Sequence, residues 1–88
     1  MWHVQIKRKL LRNVESLPEN VQLKFAALKV DLESTGPVQT SWQNYSKWGE
    51  NKYHCHLTHH YVACWQLVSE MEMVLEVYYV GSRENAPY

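Results

Sequence analysis

Eighty-eight residues, 45% of them hydrophobic, are enough for one packed domain and too few for two independent cores. A formal net charge of zero at pH 7 argues against holding nucleic acid by bulk charge alone, although five histidines add positive charge below about pH 6.5. Two cysteines, Cys55 and Cys64, are too few for a disulfide framework and fit reduced, buried thiols. Lys7, Arg8, Lys9 and Arg12 interrupt any leader-like apolar run, and no stretch nears the ~20 apolar residues of a membrane span. The expectation is a soluble, cytoplasmic chain with no membrane partner.

Trp2-His3-Val4-Gln5-Ile6 alternates as a short strand does. The period then changes. Leu10, Leu11, Val14 and Leu17 form one helical stripe, with Lys9, Arg12, Asn13 and Glu15 off it. Ser16-Leu17-Pro18-Glu19 has the spacing of a capping box, with proline in a first-turn position. A second helix follows on Val21, Phe25, Leu28 and Leu32, closed by Gly36-Pro37. Two helices so closely joined are expected to pack as an antiparallel hairpin.

From Val38 to Asn51 no period survives, and the stretch reads as a loop whose Trp42, Tyr45 and Trp48 offer large faces. Those rings either pin the loop to the body or leave one free to stack on a nucleobase. Three strands come next, Lys52 to Thr58, Tyr61 to Val68 and Met73 to Val80, with short polar links suited to an antiparallel meander. The order β-α-α-β-β-β predicts an α+β domain over residues 1–88, an antiparallel sheet with the helical hairpin on one face.

The chemistry centres on Tyr53-His54-Cys55-His56-Leu57. As a strand it sends Tyr53, Cys55 and Leu57 to one face and His54 and His56 to the other. Same-face neighbours stand about 6.6 Å apart, room for a phosphate between two groups that titrate near neutrality. Such a pair can divide the taking and giving of a proton; a pair of solvated surface histidines has the same pattern. Zinc would accept His54, His56, His59, His60, Cys55 and Cys64 as donors. Adjacent strand residues diverge, however, and no C-x-x-C or H-E-x-x-H pattern is present, so no metal site is expected. Past the last strand, Gly81-Ser82-Arg83 delivers a guanidinium suited to phosphate, and Tyr88 a phenol. The plainer alternatives are an ion pair of Arg83 with Glu84 and a frayed terminal tyrosine.

The element order, the Tyr53-His54 strand followed by Tyr61-x-x-x-Trp65, and Val80-Gly81-x-Arg83-Glu84 with the closing Tyr88 resemble the RelE/ParE superfamily of bacterial type II toxins over essentially the whole chain. The RelE branch implies an mRNA interferase, a cofactor-free and metal-independent endoribonuclease acting on messenger RNA in the ribosome. It implies 2′-hydroxyl attack on the phosphate, with His54 and His56 standing where RelE carries two lysines, Arg83 on the phosphate and Tyr88 against a base. Tyr61 matches a family tyrosine that an arginine follows; here Val62 takes that place, and Lys47 or Lys52 is expected to supply the missing phosphate contact. The resemblance further implies a cognate antitoxin partner. The ParE branch, which binds DNA gyrase and cuts no RNA, is the alternative.

Overall fold

The computed structural model describes residues Met1–Tyr88. Its elements run β1 (His3–Ile6), α1 (Arg8–Glu15), α2 (Glu19–Thr35), β2 (Ser46–Trp48), β3 (Lys52–His56), β4 (Tyr61–Ser69) and β5 (Val74–Ser82), closed by a 3₁₀ turn at Arg83–Asn85. All strands join one sheet in the order β1-β5-β4-β3-β2. The α+β class and the paired helices on one face of a sheet are as expected. Two features of the sheet are not. β1 lies parallel to β5, with His3 opposite Val74 and Ile6 opposite Val77, so the sheet is mixed. Alternation in so short a strand carries no direction, and the long helical connection permits a parallel pairing that a tight hairpin forbids. Ser46–Trp48, read as loop, pairs antiparallel with β3 and is too short to display a period.

The α2 stripe is buried as its spacing requires: Val21, Phe25, Leu28 and Leu32 all face the sheet. The helix ends at Gly36, whose φ of 86° suits glycine, and a Cβ there would lie 2.6 Å from the Trp2 indole. The capping box does not form. Pro18 takes the cap position, and Ser16 instead donates its hydroxyl to the Asn13 carbonyl in the last turn of α1.

Trp65 lies at the centre of the core, fully buried among Leu28, Leu32, Leu75, Val77 and Val80. Its indole N–H donates to the Pro37 carbonyl at 3.1 Å. The rings of Tyr45, Tyr53 and Trp65 are stacked alongside one another, and Trp42 donates to the Asp31 carboxylate at 2.8 Å. Two of the three loop aromatics therefore pin the 38–45 segment to the body, and its Gln43 carbonyl accepts from the His56 backbone N–H.

Candidate active site

The site lies on the face of the sheet away from that core. In the β3–β4 register Lys52, His54 and His56 stand opposite Gln66, Cys64 and Val62, while Tyr53 and Cys55 stand opposite Trp65 and Ala63 on the core side. On β5 the histidine side continues through Tyr79, opposite Cys64, and Gly81, opposite Val62. A bulge between Cys64 and Trp65 leaves Tyr78 as an extra residue. Tyr78 and Tyr79 thus stay outside the core cluster in succession while Val77 and Val80 remain inside it. Val62 and Cys64 are fully buried yet belong to no part of the main core. Burial pushes the Cys64 thiol up to about 12, so it stays protonated.

The His54 and His56 rings are half-buried, with centroids 6.5 Å apart and planes tilted by 43°. His54 Nδ1 lies 3.3 Å from the hydroxyl of Ser46, its direct neighbour on β2. The Asn44 amide nitrogen lies 3.5 Å from His56 Nδ1, at the outer limit of a hydrogen bond. Both imidazoles are pushed below their ordinary pKa. For His54 the cause is burial first, then the charge of His56; for His56 it is burial, then the Arg83 guanidinium, then His59.

The chain after β5 is turned back over this face. The Tyr79 hydroxyl donates to the Ser82 carbonyl at 2.7 Å, and the Arg83 N–H donates to the His60 carbonyl at 2.9 Å. Gly81 makes room for the first contact, because a Cβ there would stand 2.8 Å from the Tyr79 hydroxyl. The segment ends with the Tyr88 ring stacked on His54 at a centroid distance of 4.0 Å, and 6.4 Å from Trp48. Burial and the nearby Cys64 raise the Tyr88 phenol's pKa, and Arg83 opposes them. Arg83 has no carboxylate partner, since the one salt bridge in the chain joins Lys29 and Glu33. Its charge is left free to act on His56 and Tyr88.

The structure thus brings four expected residues together: His54, His56, Arg83 and Tyr88. Lys52 shares their face, but its ammonium lies over the Trp48 ring at 5.1 Å and the Tyr78 ring at 6.0 Å, toward the β2 end. Lys47 does not reach the site. It pairs with Tyr53 and lies 5.7 Å from that ring, on the core side of the sheet. Tyr61 likewise packs against the core, and strand alternation gives Val62, not Tyr61, to the histidine side. Ser46 and Asn44 meet the imidazoles from a stretch without a period, and an aperiodic stretch reveals no register. No group of three or more His, Cys, Asp or Glu side chains is arranged to hold a metal ion.

No protein-family model matches the sequence, and no curated protein matches it. Solved structures do. The RelE of an archaeal RelE–RelB complex from Pyrococcus horikoshii superposes with a TM-score of 0.74 at 17% identity, covering 97% of this chain and 98% of that one. Isolated E. coli RelE gives 0.73 at 16% identity, covering 99% and 89%. The fold is that of the RelE toxins. A chain of the Staphylococcus aureus YoeB–YefM complex shares the RelE-like fold too, with a TM-score of 0.70 at only 7% identity, covering 94% of this chain and 98% of that one. Across such distances the arrangement of layers persists while most side chains differ, so the RelE-like fold supplies a frame and the chemistry rests on the residues just described.

Proposed function

We propose that this chain is the toxin of a type II toxin–antitoxin pair, a metal-independent endoribonuclease that cleaves messenger RNA on the ribosome. The observation that carries the reading is the shared face: two imidazoles 6.5 Å apart, Tyr88 stacked on one of them, and Arg83, free of any carboxylate partner, on the turn that follows β5. A neutral imidazole takes the proton of the RNA's 2′-hydroxyl as that oxygen attacks the adjacent phosphorus. The bond from phosphorus to the 5′-oxygen breaks, and the second histidine, as imidazolium, protonates that oxygen as it leaves. The products are a 2′,3′-cyclic phosphate and a free 5′-hydroxyl. Arg83 offsets the charge gathering on the phosphorane oxygens. Depressed imidazole pKa values keep the base ready at neutral pH and make the supply of acid the scarcer element; a bound phosphate, being anionic, restores some of that acidity. Tyr88 stacks on a base next to the cut. Val62 fills the position of the family's further arginine, and Lys52 is the lysine left on this face to replace it. The RelE–RelB and YoeB–YefM complexes support a protein antitoxin as this chain's partner.

The test maps the 5′ ends of messages in an extract with purified protein, with and without ribosomes. Cuts bearing 5′-hydroxyl ends are expected, unaffected by chelators. His54→Ala and His56→Ala should each lower the cleavage rate by about 10²–10⁴-fold, with folding retained. Undiminished cutting by the double variant would remove the pair from the mechanism. Growth arrest with intact messages would move the reading to a protein target such as gyrase.

A further inference from the structure

β2 ends opposite His54, so beyond that point the edge of β3 is flanked by the 41–43 loop instead of a strand. A cavity of about 300 Å³ opens there, walled by Lys24 of α2, Ser41, Trp42, Gln43, His56 and Leu57. It shares His56 with the candidate active site and continues it around the sheet edge. Its walls bring an ammonium, a hydroxyl and an amide together, and no carboxylate lines it. Lys24 has no acidic partner anywhere in the chain. Along β3 the order Lys52, His54, His56 leads toward this cavity.

We propose that the cavity is a phosphate subsite, in which Lys24 holds the phosphate of the nucleotide beyond the one being cut. The inference rests on the reading of the neighbouring site as one that binds RNA. It makes the minimal good substrate longer than a dinucleotide, and it makes part of the affinity a salt-sensitive contact on α2, away from the imidazoles.

The probe is a mixed-sequence single-stranded RNA with 2′-O-methyl riboses, which cannot be cut by its own 2′-oxygen. Its affinity for the full chain is followed by fluorescence anisotropy across a salt series. One phosphate contact on a single strand contributes about 0.7 to the log–log slope. Lys24→Ala is therefore expected to flatten the slope by about 0.7, and Lys24→Arg to restore it; alanine at an exposed helix position preserves the fold. Lys29→Ala, one turn further along α2 and outside the cavity, should leave the slope unchanged. An unaltered slope in Lys24→Ala overturns the subsite, as does an equal drop in Lys29→Ala or a parent chain with no salt-dependent binding. Cleavage of unmodified RNA is scored separately. A slope that drops with Lys24→Ala while neither protein cuts RNA keeps the subsite and removes the nuclease, and a cutting parent with an unchanged slope does the reverse.

Discussion

A single guanidinium bears on one imidazole of the pair. His54 is depressed by burial and by its neighbour, whereas His56 has the permanent charge of Arg83 added to its burial. A nearby cation disfavours the imidazolium form of His56. The consequence is measurable without any substrate. Arg83→Ala removes one repulsion from the His56 imidazolium, so the His56 pKa should rise while the His54 pKa moves less. Titration of the imidazole resonances by NMR reads both at once. An unmoved His56 would mean that the guanidinium points away from the ring and has no part in tuning it.

At the level of elements, the turn after β5 places both Arg83 and Tyr88, and it depends on a glycine chosen for space. A Cβ at residue 81 would press on the Tyr79 ring, whose hydroxyl holds the Ser82 carbonyl. Gly81→Ala should cost about 1–3 kcal/mol, the range for crowding a packed site. Tyr79→Phe should cost about 1 kcal/mol for the lost hydrogen bond. If the steric push acts through that bond, the double variant loses less than the sum of the two in urea denaturation; strict additivity would separate the glycine from the tyrosine. Much of this architecture is legible in the chain. The i, i+4, i+7 stripe of α2 and the alternation of β3 each require one buried face, so both survive folding unchanged. What was illegible follows from the same physics. β2 has three residues, too few for an alternation to be recognised, so the side on which Lys47 falls depends on a register that only its partner strand fixes. Tyr61 was readable in principle, because it shares strand parity with the buried Trp65. Its likeness to a family tyrosine carries no information about which face the ring takes, and Tyr61 packs against the core.

The molecule as a whole is poised near neutrality in charge, and its site makes it sensitive to acid. Five histidines sit on a chain of zero formal charge, so acidification converts a neutral protein into a cationic one. For His54 and His56 the sign of the effect on stability is fixed by linkage. Their folded pKa values lie below the unfolded reference of 6.5, so in that window the unfolded chain binds more protons than the folded one. Stability therefore rises with pH through the region below and around 6.5, and is lost as the pH falls and both rings must charge in a half-buried site. Thermal melts from pH 7.5 to pH 5 should show a falling Tm. Replacing both rings with glutamine, which keeps polar contacts and carries no charge, should flatten part of that fall while leaving the neutral-pH Tm within a few degrees. If the double variant instead falls as steeply as the parent, the imidazoles titrate freely in the fold. The burial that depresses their pKa values would then be absent.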